Sequence, residues 1–227
     1  GLRIATINLG AQNPKPGAAA QALAQMRPDV LILQEWTGQN VALDPLRAVG
    51  LRVIYSDARR GTHGSALLAR PGVVSTARLA GPPWHGTCAM PLLTARVQAS
   101  GQALGLIAAH GPPPVPACRE ARRPYLQALA RLVEGGQATR AVGAVSEEMP
   151  IVLAGDLNAL QWEAPIRALT ERGLTDAFDT GSWRLGPTWR PHPWSPALVR
   201  IYYIFAPPGW PARRAHAANV PGSDHRA

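Results

Sequence analysis

The sequence is poor in charge and has no long apolar run, and each shortage excludes a class of protein. Charged residues make up 16% of the 227 residues and apolar residues 46%, whereas soluble domains usually carry about 25% charge. Disordered chains combine high charge with low hydrophobicity, so this chain is expected to fold. No apolar run approaches the roughly 18 residues of a membrane helix, and no charged-then-apolar start suggests a signal peptide.

Cysteine is also scarce. The chain contains only Cys88 and Cys118, which are far apart and belong to no Cys-x-x-Cys pair. This spacing argues against a zinc or iron–sulfur site. It leaves two alternatives open, one disulfide between them or two buried free thiols.

Lysine is nearly absent, and its place is taken by arginine. The chain has 23 basic and 14 acidic residues, a net charge of +9, and Lys15 is the one basic residue that is not arginine. Arginine binds phosphate through a planar fork of donors. The charge therefore favours a phosphorylated or otherwise anionic partner, although an arginine bias also follows from genome composition.

Short apolar runs alternate with helical patterns along the chain, without an internal repeat, which is typical of α/β proteins. We expect a single domain over residues 1–227. The predicted strands are 2–9, 30–34, 52–55, 65–70, 73–79, 92–98, 104–109, 151–154 and 200–205, and the predicted helices are 18–26, 124–134 and 163–172. We expect residues 137–149 to be a surface linker, and 181–197, with Trp183, Trp189 and Trp194, to be a long structured loop.

Several predicted strands end on polar residues that can bind a ligand or transfer a proton. These residues are Asn8, Glu35, His110, Asp156 and Asn158. Each of them alone has an ordinary explanation as a turn or cap residue. Together they indicate a site, because the carboxyl ends of strands in α/β sheets are where functional side chains converge.

The residue types of this set suit a hard divalent cation. The oxygen donors are the carboxylates of Glu35, Asp156 and Asp224 and the amides of Asn8 and Asn158. Oxygen donors favour Mg²⁺ or Mn²⁺ over zinc. His110 and His225 add proton donors or a base near neutral pH. A cation with imidazoles, amides and a carboxylate that directs water is the equipment for hydrolysis of a phosphate ester.

Six short motifs in a fixed order resemble the endonuclease/exonuclease/phosphatase superfamily. They are Arg3-Ile-Ala-Thr-Ile-Asn8, Pro28-Asp-Val-Leu-Ile-Leu-Gln-Glu35, Gly64-Ser-Ala-Leu-Leu, His110 followed by prolines, Gly155-Asp156-Leu-Asn158 and Ser223-Asp224-His225. The resemblance covers the chain from end to end. It implies a four-layer α/β sandwich, with two mixed β-sheets packed face to face and helices on the outside.

The resemblance also implies a role for each site residue. Glu35 would bind the metal, with Asn8 beside it contacting metal or phosphate and Asp224 assisting. Asp156 would orient or deprotonate the attacking water, and Asn158 would hold the phosphate. His110 would stabilise charge in the transition state, and His225 would be the general base or a phosphate donor. Arg123 lies where relatives often carry an arginine, and is either a site residue or a solvated charge.

The late strand departs from the family pattern. The family commonly has Arg-Ile-Asp-Tyr-Ile, whereas this chain has Arg200-Ile201-Tyr202-Tyr203-Ile204. Tyr202 thus replaces the aspartate that orients the catalytic histidine. In a comparable triad, loss of the orienting carboxylate costs about 10⁴ in turnover. This departure leaves a slow enzyme, an enzyme with altered chemistry or an engineered variant as alternatives, with the Tyr202 hydroxyl as a neutral hydrogen-bond partner for His225.

Three functions remain in competition. The first is a Mg²⁺- or Mn²⁺-dependent phosphoesterase acting on nucleic acid, which the positive charge favours, although basic and aromatic residues form no shared stripe. The second is an outward-facing phosphatase for a lipid phosphate or small metabolite, similar to a bacterial branch associated with glycopeptide-antibiotic resistance. The third is a binding protein that has lost hydrolysis.

Partners and compartment follow from these alternatives. In the second, tryptophans of the 181–197 loop would lie near a membrane; otherwise they pack the loop on the protein. We expect a monomer. The sequence leaves the compartment open between the cytoplasm and, if a membrane segment precedes Gly1, an extracytoplasmic location.

Overall fold

Two mixed β-sheets stack face to face in the computed structural model, which describes residues 1–80, 88, 90, 92–133, 149–178, 186–191, 195–210 and 214–227. The strands are β1 (Ile4–Asn8), β2 (Val30–Gln34), β3 (Arg52–Asp57), β4 (Ser65–Ala69), β5 (Val74–Ala80), β6 (Leu92–Ala99), β7 (Gln102–His110), β8 (Ile151–Asp156), β9 (Thr175–Asp176) and β10 (Tyr202–Ala206). One sheet has the order β1-β2-β4-β3 and the other β5-β6-β7-β8-β10-β9. The pairs β1–β2 and β7–β8 are parallel, and the other pairs are antiparallel.

Helices cover the outer face of each sheet. They are α1 (Pro16–Gln25), α2 (Asp44–Ala48), α3 (Arg119–Val133) and α4 (Ala164–Glu171). The first two pack on the four-stranded sheet and the last two on the six-stranded sheet. The predicted four-layer α/β sandwich is therefore confirmed. Within the described part of the chain, no helix has the length and apolar character to cross a membrane.

The central strands are buried on both faces, which explains their unbroken apolar runs. Every residue of β2, β4 and β8 is buried. Ile32 and Leu67 of the first sheet pack in one cluster with Leu106 and Val152 of the second. Strands covered on both faces are continuously apolar rather than alternating, so the sequence located these strands reliably.

The predicted start of the third helix, at Pro124, was wrong. α3 begins at Arg119, directly after a 3₁₀ turn at Pro116–Cys118, and Pro124 lies inside it. Proline is most often found at the first helical position, and this preference suggested the later start. Pro124 is exposed, so water can satisfy the carbonyl that loses its partner. The short helix α2 was not predicted.

Parts of two predicted segments lie outside the described residues. They are most of the 137–149 linker and the sections of the 181–197 loop that contain Trp183 and Trp194. The remaining tryptophan of that loop, Trp189, is partly buried. It packs against the apolar cluster between α1 and the four-stranded sheet. This contact agrees with packing of the loop on the protein.

A disulfide joins Cys88 to Cys118 across 30 positions of sequence. Of the two alternatives, the structure thus contains the disulfide. It ties the chain before β6 to the turn that starts α3. We expect Cys88→Ala with Cys118→Ala to lower the free energy of unfolding by about 3–4 kcal/mol, because the crosslink limits the unfolded chain. Urea unfolding of the oxidised protein and the double variant measures this, and equal midpoints would contradict it.

Candidate active site

Strand register brings the predicted site residues to one edge of the two sheets. In the six-stranded sheet, Asp156 is paired with His110 on one side and Tyr202 on the other. Gly155 has a φ of +144°, and a Cβ there would overlap the Ala109 carbonyl, so only glycine allows β8 to lie this close to β7. In the other sheet, parallel pairing places the end of β1, Asn8, beside the end of β2.

Asn8 links carboxylates of the two sheets. Its Nδ2 donates to Glu35 Oε1 at 2.9 Å and lies 3.4 Å from Asp156 Oδ2. Its own Oδ1 accepts the Gly10 N–H at 3.0 Å. The second oxygen of Glu35 accepts the Ala11 N–H at 3.0 Å. Glu35 itself has a φ of +55°, so the chain turns sharply where the carboxylate leaves the strand.

The loop after β8 holds the second part of the site. Asp156 Oδ1 accepts the backbone N–H of Asn158 at 3.0 Å. The Asn158 side chain donates to the Gly111 carbonyl at 2.9 Å, which ties this loop to the loop after His110. Asp156 is fully buried, so its carboxyl group is fixed by strand pairing and by these bonds.

The last residues of the chain complete the site. Ser223 Oγ donates to the Asn8 carbonyl at 2.7 Å and accepts the His225 N–H at 3.0 Å. His225 Nδ1 lies 3.9 Å from Asp156 Oδ2, and its Nε2 lies 3.6 Å from Asp224 Oδ1. The C-terminal segment is thereby anchored to β1, and His225 lies between two carboxylates.

Tyr202 contacts His225 through its ring and not through the predicted hydrogen bond from its hydroxyl group. The Tyr202 ring stacks on the imidazole, with centroids 5.2 Å apart and planes inclined by 15°. Its hydroxyl oxygen accepts the backbone N–H of Asn8. His225 Nδ1 is buried without a hydrogen-bond partner in the structure. The prediction that the Tyr202 hydroxyl replaces the lost carboxylate as a partner of His225 was therefore wrong.

The electrostatics of the carboxylates fit a bound cation. Burial raises the pKa of Asp156 to about 8, and the nearby Glu35 and Asp224 charges add to the rise. Burial, opposed by hydrogen bonds from Asn8 and Ala11, also raises the pKa of Glu35. A bound cation would stabilise these repelling, desolvated carboxylates in their charged form.

A small number of protein ligands does not argue against a divalent cation. No cluster of three or more His, Cys, Asp or Glu side chains suited to a metal occurs in the described part of the chain. Mg²⁺ does not require one, because it is usually bound by one or two carboxylates and retains several waters. Glu35 would supply the principal carboxylate, with Asp224 nearby. Asn8 directs its N–H donors at Glu35 and Asp156 while its Oδ1 accepts the Gly10 N–H, so here it orients the carboxylates.

The two predicted imidazoles are neutral in their surroundings. Burial lowers the pKa of His110 to about 3, helped by the nearby His225 and His63. Burial lowers the pKa of His225 to about 4, with Asp224 opposing and Arg190 assisting. At neutral pH both rings thus have one N–H donor and one unprotonated acceptor nitrogen.

We expect His110 to make stability fall in acid. Its folded pKa lies below the ordinary 6.5, so its contribution is present above pH 6.5 and is lost as pH falls. At pH 5 the loss is about 2 kcal/mol relative to pH 7.5. Urea unfolding with a chelator at both pH values should show a smaller pH effect in His110→Gln. An equal effect in both proteins would contradict the expectation.

The sequence analysis did not single out Arg122, His63 or Arg190 near the site, and it left Arg123 open between a site residue and a solvated charge. Arg123 is exposed on α3, whereas its neighbour Arg122 donates to the Asn158 carbonyl. His63 directly precedes Gly64, whose carbonyl accepts the N–H of the residue after Glu35. Arg190 donates its backbone N–H to the Asp224 carbonyl. Helical phase and loop contacts decide these positions, and no sequence motif marked them.

The fold and the edge site define the class of protein, an α/β sandwich of the deoxyribonuclease I type. More particularly, the sequence model of the Endonuclease/Exonuclease/phosphatase family matches residues 5–225, and the chain belongs to this family. Among curated protein sequences, none matches this chain significantly.

Solved structures of similar fold include nucleic-acid and sugar-phosphate proteins. D. rerio TDP2 complexed with a single-strand DNA product is 20% identical, with 99% of this chain and 96% of that chain covered and a TM-score of 0.69. The mannosyl-6-phosphatase of Bacteroides thetaiotaomicron is 17% identical, with 100% and 97% covered and a TM-score of 0.70. Truncated Caenorhabditis elegans TDP2 is 16% identical, with 99% and 94% covered and a TM-score of 0.70. At these identities the likeness shows the fold.

Proposed function

We propose that this chain is a Mg²⁺- or Mn²⁺-dependent phosphoesterase that hydrolyses a phosphodiester or a phosphomonoester by attack of water. The observation that carries the proposal is the bonded chain from Glu35 through Asn8 to Asp156, with His225 against the same aspartate. A bound divalent cation would neutralise the phosphate and polarise its P–O bonds. Family membership supports the reaction class at the coarser level.

Each site residue has its own role in the proposed hydrolysis. Asp156, held by the Asn158 N–H, would direct the attacking water and accept its proton in the ionised form, which a bound cation would favour by lowering the pKa of about 8. The Asn158 amide donates to a phosphate oxygen with the N–H that Gly111 does not use. The neutral His110 donates to the developing negative charge. Neutral His225 either accepts a proton or donates to the phosphate, because its pKa lies well below 7.

The proposed substrate is a phosphorylated molecule. The disulfide gives information on the compartment in which the protein encounters it. Disulfides persist in oxidising compartments and are rare in the cytosol of most organisms. The Cys88–Cys118 bond therefore favours an extracytoplasmic location. This supports the second candidate function, an outward-facing phosphatase for a lipid phosphate or small metabolite, at or near a membrane. The monomeric state stays a prediction.

The third candidate, a binding protein without hydrolysis, has less support. Its main argument is Tyr202, which provides no carboxylate for His225. Against it, the chain has the full set of Glu35, Asp156, Asn158, Asp224 and His225, which a protein without hydrolysis has no reason to keep.

One panel of substrates separates these candidates. The protein is assayed with Mg²⁺, Mn²⁺ or chelator on bis-nitrophenyl phosphate, nitrophenyl phosphate, plasmid DNA, an abasic duplex and a polyprenyl pyrophosphate. We expect metal-dependent turnover of at least one, absent from Glu35→Gln. Retained turnover in Cys88→Ala with Cys118→Ala would exclude a thiol nucleophile. Calorimetric binding of Mn²⁺ without turnover of any substrate would overturn the proposal in favour of the binding protein.

A further inference from the structure

Asn158 is held in an uncommon backbone conformation next to the reacting centre. Its φ is +47°, in the left-handed region that asparagine tolerates better than most residues. Its N–H is bonded to Asp156 and its side chain to the Gly111 carbonyl. Because the proposed role of Asn158 is to hold a phosphate oxygen, its position has to be fixed within a fraction of an ångström.

The remaining backbone group of Asn158 is bonded to a side chain of the helix layer. Its carbonyl accepts an N–H from Arg122 at 2.9 Å. The same Arg122 nitrogen lies 2.8 and 2.7 Å from the two carboxylate oxygens of Glu163. Glu163 in turn accepts the Leu160 N–H at 2.8 Å. The Arg122–Glu163 pair thus contacts the backbone of this loop at two points, Asn158 and Leu160.

This pair is built to position the loop rather than to attract substrate. The side chains of Arg122 and Glu163 are 20% and 26% exposed, so solvent screens the pair only in part. The Arg122 charge is balanced by Glu163, and a single guanidinium nitrogen, Nη2, contacts both the Glu163 carboxylate and the Asn158 carbonyl. The neighbouring Arg123 is exposed on the same helix and so is a matched arginine outside this arrangement.

We propose that Arg122 is a positioning residue for hydrolysis, which with Glu163 fixes the Asn158 amide against the phosphate in the transition state. The inference rests on the proposed function and assigns it a residue outside the six motifs. Partners that orient a ligand residue typically cost 10–100-fold in activity when they are replaced. The cost should fall on kcat, because Arg122 acts through Asn158 and does not itself contact the substrate.

The kinetic test compares Arg122→Gln, Arg122→Lys and Arg123→Gln on bis-nitrophenyl phosphate with saturating Mn²⁺. We expect kcat of Arg122→Gln to fall by about 10–100-fold with KM changed by less than about twofold. Arg122→Lys should be intermediate, since a lysine keeps the charge without the planar fork. Arg123→Gln should match the parent. Unchanged kcat in a folded Arg122→Gln protein would overturn the proposal.

A double-mutant cycle separates positioning from general stability. In an Asn158→Ala protein, Arg122→Gln should have little further effect on kcat, because the group that it positions is gone. Arg122→Gln with Glu163→Gln removes the unpaired carboxylate and should restore the unfolding midpoint without restoring kcat. Multiplying effects of Arg122→Gln and Asn158→Ala, or recovery of kcat together with stability, would contradict the inference.

A measurement without turnover keeps the two proposals distinguishable. The carbonyl ¹³C and side-chain amide ¹⁵N signals of Asn158 should shift in Arg122→Gln and stay in place in Arg123→Gln. If these signals do not respond to Arg122→Gln, the positioning role is wrong whatever the activity. If they respond but the parent hydrolyses nothing in the panel above, the contact is real and the proposed function fails.

Discussion

Asp156→Asn is expected to lower kcat/KM for metal-dependent phosphodiester hydrolysis by about 10²–10⁴, the range of a lost general base. The substitution keeps the shape of the side chain and an oxygen that accepts the Asn158 N–H. It removes the negative charge that directs the attacking water and takes its proton. Initial rates with saturating Mn²⁺ measure the effect, and Asp44→Asn, at an exposed carboxylate on α2, is the matched control.

The same substitution should stabilise the protein without metal. The folded pKa of Asp156, about 8, is above its ordinary 3.8, so stability present at acid pH is lost as pH rises between these values. The amide that replaces the carboxyl group does not titrate, and the advantage of the variant should grow by about 1.4 kcal/mol per pH unit. Urea unfolding with a chelator at pH 5 and pH 8 tests this. A variant that loses activity and is also less stable at pH 8 would indicate simple misfolding.

Asp156→Asn is expected to lower activity and to raise stability, so the wild-type aspartate serves the reaction at a cost to the fold. A buried carboxyl group with a raised pKa weakens the fold, and the hydrogen bonds from Asn158 and Asn8 offset only some of this cost. Functional sites commonly carry such a cost in stability. A fold selected for stability alone would place an asparagine or an apolar residue at the end of β8.

The sequence located the parts of the site that depend on single strands. Asn8, Glu35, His110 and Asp156 lie at or directly after strand ends, and buried strands of parallel pairs are recognisable by their continuous apolar runs. The four-layer fold followed from the resemblance, since strand order is not contained in any local pattern. What the pattern could not give was the register that pairs Asp156 with both His110 and Tyr202.

Residues whose role depends on the phase of a helix were predicted poorly. Arg122 was not singled out, Arg123 was left open between a site residue and a solvated charge, and α3 was expected to begin at Pro124. The helix in fact begins at Arg119, after a turn that the Cys88–Cys118 bond fixes to a distant part of the chain. One residue along a helix is a rotation of about 100°, and this rotation decides which arginine meets Asn158.

At Tyr202 the contacts in the structure differ most from those predicted from the sequence. The family comparison predicted a lost carboxylate and a replacement hydrogen bond to His225, whereas the ring stacks on the imidazole and the hydroxyl binds Asn8. The side chain is 3% exposed and lies opposite Asp156 in the sheet. An aspartate there would therefore lie next to both His225 and Asp156.

Tyr202→Asp is expected to raise hydrolysis of a generic phosphodiester by about 10²–10⁴, if the carboxylate orients His225. The unpartnered Nδ1 of His225 is the nitrogen that lacks an acceptor, and a carboxylate beside it would hold the ring in one tautomer. It should also raise the pKa of His225 from about 4, since a nearby negative charge favours the protonated ring. Rates with saturating Mg²⁺ or Mn²⁺ and NMR titration of the His225 ring measure both effects.

The gain has to overcome a structural cost, which a second variant isolates. Truncation of a buried aromatic side chain typically costs about 3–5 kcal/mol, and the Asn8 N–H loses its acceptor. Tyr202→Phe also removes that acceptor but keeps the stacked ring, so it should lose stability without gaining activity. A folded Tyr202→Asp protein that binds Mn²⁺ and gains nothing would show that His225 is not limited by its missing partner. Tyr202 would then belong to a site adapted to a substrate other than a phosphodiester.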